Sequence, residues 1–234
     1  MKERNKHMSN KRKNNNYYMY SSEYQGYKDE PAGKKDKLLL LYIPIYLLAF
    51  FIIDSLPLTH YIIRCPLDSY ISFNQYMVIP YAIWYIWVPG WLLYFMNKSG
   101  REFRRLAVVM FSGMTVSLII YLIFPNGIDL RDPVTGTDVC SKAVQLIRHF
   151  DTPYGVCPSI HITTITAIML SIKNSRISDI TSTVEGYCMV ITLLIGYSTM
   201  GIKQHSIVDI VCGVILSVLI YYIYEYFTKK KAGK

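Results

Sequence analysis

Hydrophobic residues along this chain are gathered into six runs that are separated by polar segments. A helix that rises about 1.5 Å per residue needs about 20 residues to cross a hydrocarbon core of about 30 Å, and four of the runs approach that length. The pattern predicts an all-α, polytopic membrane protein with a six-transmembrane-helix bundle. The predicted spans are Leu38 to Leu56, Gln75 to Phe95, Leu106 to Phe124, Ser159 to Ile172, Thr183 to Thr199 and Ile207 to Phe227.

The fourth run is the shortest, and it contains Thr163, Thr164 and Thr166. We predict that this helix lies inside the bundle and has little contact with lipid. The alternative for the whole chain is a soluble bundle of six buried helices. Water does not require apolar runs of this length, so the pattern favours the membrane.

Basic residues predict the orientation of the spans. With a cytoplasmic N-terminus, 20 of the 25 Lys and Arg residues fall in cytoplasmic segments. This positive-inside bias places both termini in the cytoplasm, and we expect an integral protein of a bacterial plasma membrane. It also explains the net charge of +9 as topology, so no nucleic-acid partner is predicted.

The chain divides into three predicted regions. Residues 1–37 are rich in Lys, Asn, Tyr and Ser without apolar periodicity, which indicates a disordered basic cytoplasmic tail. Residues 38–228 form the membrane domain, and residues 229–234 form a second basic tail. The first apolar run has no small-residue cleavage site after it, so we expect an anchor and not a signal peptide.

The longest predicted outer loop runs from Pro125 to Pro158. Its middle part, Thr137 to Phe150, carries apolar residues at helical spacing after a possible cap at Thr137 or Asp138. This predicts a short helix on the membrane surface. It is either a lid or rim over a site or ordinary loop packing, and the sequence leaves both open.

Three of the cysteines, Cys65, Cys140 and Cys157, fall on the predicted outer side. A disulfide among them and three unpaired thiols are equally consistent with the sequence.

The segment Pro158-Ser159-Ile160-His161 opens the fourth run. Proline suits a first helical turn and Ser159 can cap, so free backbone N–H groups at Ser159 and Ile160 form a candidate anion site. His161 beside that site would donate a proton to a departing oxygen. The alternative is a histidine at a helix start that merely faces water.

His205 and Asp209 lie four residues apart where the last run begins. On one helix they would share a face and lie about 6 Å apart along the axis. A carboxylate inside a membrane is costly unless it is paired, and its natural partner here is His205. Asp209 would take the proton of one ring nitrogen and leave the other nitrogen basic, which is how a histidine becomes a nucleophile.

A metal site is the alternative use of these groups, because His161, His205 and Asp209 also suit zinc or iron. The neighbouring Lys203 and Arg131 would repel a cation and attract an anion. We therefore predict no metal and no cofactor.

Taken together, Pro158-Ser159-Ile160-His161 followed by Ser198-x6-His205-x3-Asp209 resembles the second and third signature motifs of the phosphatidic acid phosphatase type 2 superfamily. The stretch from Ser198 to His205 is similar in particular to the branch that includes inositol phosphorylceramide synthase. The resemblance covers roughly residues 121–213. It implies that His205 attacks phosphorus to form a phosphohistidine, that Asp209 orients it and that His161 protonates the leaving group.

The resemblance also implies the substrate-binding residues, which are Arg131, Ser159, Ile160, Ser198 and Lys203. Arg131 ends a Phe-Pro-containing segment like that of the synthase branch. Directly after Ser198, a threonine replaces the family's usual arginine, so a positive charge is missing there. Lys203 would restore that charge.

One family motif has only a superficial match, at Lys98 and Arg105. A leucine follows Arg105 where the family has proline. The third predicted span separates both residues from His161 by about 30 Å of hydrocarbon. We therefore exclude them as phosphate ligands.

The sequence thus predicts a membrane lipid phosphate phosphatase, with a lipid phosphate or diphosphate as substrate and membrane lipids as surroundings. A lipid phosphotransferase is an alternative, because the acceptor is not specified. The other alternative is a non-catalytic transporter or scaffold with the same fold. The sequence does not specify an oligomeric state.

Overall fold

The helices follow the apolar runs closely. The computed structural model describes residues 30–56, 58 and 61–232, and this part of the chain is mostly helical. The α-helices are α1 Lys34–Lys37, α2 Tyr42–Asp54, α3 Val78–Lys98, α4 Gly100–Ile123, α5 Val139–Phe150, α6 Ile160–Lys173, α7 Ser182–Gly201 and α8 Ile207–Ala232. Single 3₁₀ segments cover Leu38–Leu41, Pro66–Tyr70 and Gln75–Met77.

Within the described residues, five helical segments are long and apolar enough to cross a membrane. They are Lys34–Asp54, Gln75–Lys98, Gly100–Ile123, Ser182–Gly201 and Ile207–Lys230. The fourth predicted span corresponds to α6, which is apolar but shorter than the other five. The helices indicate a membrane-embedded protein.

The distribution of polar groups agrees with a lipid environment. Large apolar side chains on the helix surfaces are exposed, for example Ile86 at 76% and Ile123 at 77%. Polar side chains such as Thr163, Ser198 and Ser217 are fully buried in the interior. A protein that folds in water would expose far fewer large apolar side chains and would bury fewer polar ones. This inverted distribution therefore favours the bilayer as the solvent.

α6 lies at the centre of the bundle, where it packs against α4, α7 and α8. The prediction that this helix is interior is confirmed, because most of its side chains are buried. Two glycines allow the close approach of the neighbouring helices. A Cβ at Gly113 would lie 2.5 Å from Thr163 Cγ2, and one at Gly213 would lie 2.9 Å from the Ser159 carbonyl oxygen.

The predicted loop between the second and third spans is nearly absent. α3 continues to Lys98 and α4 begins at Gly100, so Ser99 is the junction. The Ser99 hydroxyl caps α4 by accepting a hydrogen bond from the Glu102 amide. Glu102 in turn pairs with Arg105 one turn later. The helix therefore extends over charged residues beyond the apolar run. A hydropathy pattern does not predict this extension.

The predicted N-terminal tail lies mostly outside the described residues. Its last part is ordered, because α1 begins at Lys34 within the predicted tail. Arg104 forms a 2.9 Å ion pair with Asp36 in this helix. The helical segment that contains the first predicted span therefore begins a few residues before Leu38.

The helix predicted in the long loop is present as α5, and Asp138 caps it by accepting hydrogen bonds from the amides of Cys140 and Ser141. Its inner face packs with Val144 against Val78, Tyr81 and Ile202.

Two short strands pair in parallel, β1 (Tyr61–Ile62) with β2 (Asn126–Gly127). They are a minor exception to the predicted all-α class.

The N-termini of α3, α6 and α8 and the C-terminus of α7 meet at one end of the bundle, which we call the site end. α5 packs at this end. Lys98, Arg105 and Lys173 lie at the opposite end. Arg105 donates to the carbonyl of Ser171, ten residues and about 15 Å along α6 from His161.

Candidate active site

The start of α6 is built by Ser159. Its hydroxyl accepts a hydrogen bond from the Ile162 amide at 3.4 Å, so Ser159 is the N-cap, as predicted. The Ser159 amide donates to the main-chain carbonyl of Asp209 at 3.2 Å. The amides of Ile160 and His161 precede the first intrahelical bond of α6, which runs from Thr163 to Ser159.

The two predicted histidines meet at the site end. His161 Nδ1 lies 3.2 Å from His205 Nε2, although 44 residues separate them in sequence. The ring planes are inclined at 65° to each other, with centroids 5.4 Å apart. The structure therefore brings together the two imidazoles that the sequence placed in separate motifs.

Trp84 and Tyr81, one turn apart on α3, enclose the His161 ring with centroid distances of 4.4 and 5.0 Å. Trp84 is fixed in turn, because its indole N–H donates to Thr164 Oγ1 at 2.9 Å. No sequence pattern indicated a role for either aromatic residue. A helix that is aromatic on several faces gives no signal for which rings contact a histidine.

His205 is positioned by the chain reversal after α7. Lys203 adopts a left-handed conformation with φ of 58°, which is unusual for a residue with a side chain. The amides of Gln204 and His205 then both turn back to the carbonyl of Thr199, at 2.8 and 3.3 Å. This tight reversal holds His205 over the end of α7.

Asp209 accepts a hydrogen bond from His205 Nδ1 at 3.3 Å and one from the Ser206 amide at 2.8 Å, both on Oδ2. The predicted pair is present, but its geometry differs from the prediction. α8 begins at Ile207, so His205 lies before the helix and does not share a helix face with Asp209. The contact forms because the Asp209 carboxylate folds back over the first turn.

Asp68 is a site residue that the sequence analysis missed. Its buried carboxylate accepts hydrogen bonds from the Ile207 amide, the Ser206 hydroxyl and the Cys65 amide at 2.7–2.9 Å. The contacts with Ser206 and Ile207 span 138 and 139 positions in sequence, so no local pattern could have indicated them. Asp68 thus fixes the start of α8 directly after His205.

Arg131 lies at the site end, but its donors are already engaged. Nη1 and Nη2 donate to the carbonyls of Asp151 and Thr152 at 2.6 and 3.0 Å. In the described part of the chain, its buried Nε has no hydrogen-bond partner. Burial lowers the pKa of Arg131 to about 10, against the opposing effect of Asp151, so the guanidinium remains charged near neutral pH.

Two further cations lie nearby. Lys203 donates to the Asp68 carbonyl at 2.9 Å. Arg148, which the sequence analysis did not select, donates to the carbonyls of Asp132 and Ile202 at 2.6 and 3.0 Å. Both cations therefore tie separate segments together at the site end.

Ser198 is not brought to the histidines by its hydroxyl group. The group is fully buried and donates to the Ile195 carbonyl of its own helix at 2.6 Å.

All five cysteines lie in the described part of the chain and are free, so no disulfide joins Cys65, Cys140 and Cys157. Among the described residues, no group of three or more His, Cys, Asp or Glu side chains is placed to hold a metal ion.

The Gln204 side chain is almost completely buried, and within the described residues neither of its amide atoms has a hydrogen-bond partner. An unpaired buried polar group costs about 1–3 kcal/mol. We therefore expect Gln204→Leu to leave the free energy of unfolding unchanged or to raise it by about 1 kcal/mol, measured by unfolding in detergent.

Gln145→Leu is the matched control, because the Gln145 amide donates to the Val134 carbonyl at 2.7 Å. That variant should lose about 0.5–1.5 kcal/mol. A loss larger than the control's in Gln204→Leu would show that the Gln204 amide is hydrogen-bonded in the folded protein.

The chain matches no family model and no curated protein. The resemblance to the phosphatase superfamily therefore rests on the short motifs themselves.

Proposed function

We propose that the protein is a membrane lipid phosphate phosphatase that acts through a phosphohistidine at His205. The site would face the non-cytoplasmic side, with the short helix α6 crossing the membrane in addition to the five longer helices and with α5 at the outer membrane surface. The observation that carries the proposal is the linked set His161, His205 and Asp209, joined by contacts of 3.2 and 3.3 Å at one end of an apolar bundle.

The roles follow from the chemistry of these groups. The Asp209 carboxylate orients His205 through Nδ1, which leaves Nε2 as the nucleophilic nitrogen. His161 lies on the Nε2 side, where an acid for the leaving oxygen is required. The two nitrogens are in mutual contact, so the phosphoryl group must separate them to reach a near-attack distance of about 3–3.5 Å from Nε2.

Fixed positive charge supports an anionic substrate. Arg131, Arg148 and Lys203 all lie at the site end, and the N-terminus of α6 adds its helix dipole. The exposed apolar helix surfaces would let a lipid approach sideways, with its tails in the bilayer and its phosphate at the site. With water as acceptor the reaction is hydrolysis, and with an alcohol the same intermediate gives phosphotransfer.

Purified protein in detergent should release phosphate from phosphatidic acid or a prenyl diphosphate in the presence of EDTA. Rapid quenching with labelled substrate should trap a phosphoprotein that survives alkali and is lost in acid, as the P–N bond of phosphohistidine requires. The absence of both phosphate release and labelled protein with every lipid phosphate and acceptor tested would refute the proposal.

Arg131→Ala is expected to lower kcat/KM by the equivalent of at least about 2 kcal/mol, because a fixed charge near the transferring phosphoryl group is lost. Arg64→Ala is the control. Arg64 is an exposed residue of the same side, and its 3.5 Å ion pair with Asp129 should contribute little. Near-normal turnover in Arg131→Ala would assign the anion-binding role to Lys203 or Arg148.

A further inference from the structure

The hydrogen-bonded set continues on the other side of His161. The buried Tyr81 hydroxyl lies 2.9 Å from His161 Nε2, and it also donates to Asp151 Oδ2 at 3.3 Å. The linked groups, in order, are Asp151, Tyr81, His161, His205 and Asp209. A carboxylate therefore stands at each end of a line that contains both imidazoles.

A count of protons limits how this line is protonated. Its four contacts need four protons, but one phenol and two neutral imidazoles supply only three when both carboxylates are ionised. The acid role proposed for His161 supplies the fourth proton and makes this ring an imidazolium. With both carboxylates ionised, the two ends of the line are negative and compensate that charge.

The positions of these protons follow from the ends of the line. Because Tyr81 donates to Asp151, its oxygen is free to accept from His161 Nε2–H. Because Asp209 is an acceptor, His205 Nδ1 carries a proton as well. The fourth proton then lies between His161 Nδ1 and His205 Nε2, which is where the proposed reaction consumes it.

We infer that Tyr81 and Asp151 are positioning residues that hold His161 with Nε2 protonated, so that Nδ1 is the nitrogen that serves the leaving oxygen. This inference rests on the proposed function of His161 as the acid. Tyr81 and Asp151 would not touch the substrate. They act through the His161 ring, and Asp151 is itself kept beside Arg131 by the bond from the guanidinium to its carbonyl.

The electrostatics of Asp151 agree with this role. Burial raises the pKa of Asp151, whereas the Arg131 guanidinium and the His205 ring oppose the increase. Arg131 and His205 thus favour the ionised form of Asp151, which is the form that accepts a hydrogen bond from the phenol.

In the first step, the lone pair of His205 Nε2 forms the N–P bond and the bond from phosphorus to the leaving oxygen breaks. The leaving oxygen keeps the electron pair and takes the proton from His161 Nδ1. In the second step, the oxygen of water or an alcohol attacks phosphorus, its proton passes to His161 Nδ1, and the N–P electrons return to His205. Tyr81 accepts from His161 Nε2–H throughout.

The test exploits the leaving group. A lipid alkoxide needs a proton to depart, whereas 4-nitrophenolate does not. Tyr81→Phe should therefore lower kcat for a short-chain phosphatidic acid by about 100-fold and kcat for 4-nitrophenyl phosphate by less than about 10-fold. Asp151→Asn should change the ratio of the two rates in the same direction, and it is the second variant should Tyr81→Phe fail to fold.

Tyr121→Phe is the matched control, because it removes a buried phenol hydroxyl that donates to the Pro158 carbonyl at 2.6 Å. Any loss in this variant should be equal for the two substrates. Equal losses for both substrates in Tyr81→Phe and Asp151→Asn, or no loss in either variant, would overturn the inference.

A second readout does not depend on turnover. Nitrogen-15 NMR of labelled histidine, with the His161 signals assigned from a His161→Gln sample, should show Nε2 protonated in the wild type and a changed Nε2 environment in Tyr81→Phe. An inactive wild type with this signature would refute the proposed function alone. A neutral His161 with its proton on Nδ1 in an active enzyme would refute the positioning role alone.

Discussion

Replacing His205 with alanine is expected to lower kcat/KM for lipid phosphate hydrolysis by about 10⁴-fold or more, because the proposed covalent path loses its nucleophile. His205 is the residue that joins the other two groups. Its Nε2 contacts His161 and its Nδ1 contacts Asp209, at 3.2 and 3.3 Å. Phosphate release in detergent and trapping of the labelled phosphoprotein measure the two consequences separately.

His149→Ala is the matched control for this variant. His149 is an exposed residue near the end of α5, and its ring packs edge-on against the adjacent Phe150. It should retain wild-type turnover and the labelled phosphoprotein. Thermal unfolding of both variants checks that His205→Ala is folded. Alkali-stable label that persists in folded His205→Ala would show that another residue is the nucleophile.

The helical part of the fold was predictable because apolar runs of membrane length have few alternative structures. The interior position of α6 also followed from its length and its three threonines, since a short, partly polar helix is poorly suited to lipid. The direct junction of α3 and α4 at Ser99 was not predictable from the apolar pattern. Charged side chains such as Glu102 and Arg105 end a hydropathy run, but their mutual pairing allows the helix to continue.

The meeting of His161 and His205 was predictable from the sequence, because each residue stands where a predicted span begins and these two spans, the fourth and the sixth, run in the same direction. The geometry of the contact between Asp209 and His205 was not predictable. The prediction assumed one helix for His205 and Asp209, whereas the chain starts α8 two residues after His205 and Asp209 caps its first turn.

The groups that support the histidines gave no sequence signal. Tyr81 and Asp68 contact the site across 80 and 138 positions, and Asp151 reaches Tyr81 across 70. One tyrosine among 21 or one carboxylate in a loop cannot be assigned to a partner from spacing alone. Such contacts depend on how loops of unpredicted conformation pack at the site end.

Asp68→Ala is expected to lower the free energy of unfolding by about 3 kcal/mol, the largest stability effect that we predict. The substitution removes the acceptor of three buried hydrogen bonds, from Cys65, Ser206 and Ile207. It also removes a negative charge from the positive end of the α8 dipole. Unfolding followed by circular dichroism in detergent measures the loss.

Asp129→Ala is the control, because Asp129 is an exposed aspartate whose 3.5 Å ion pair with Arg64 should contribute about 0–1 kcal/mol. Asp68→Asn should be intermediate, since the amide retains one acceptor oxygen but loses the charge. If Asp68→Ala were no less stable than the control, Asp68 would not be what fixes the start of α8. Because Ser206 and Ile207 directly follow His205, the same loss should loosen the nucleophile, so turnover should fall even at temperatures where the variant is fully folded.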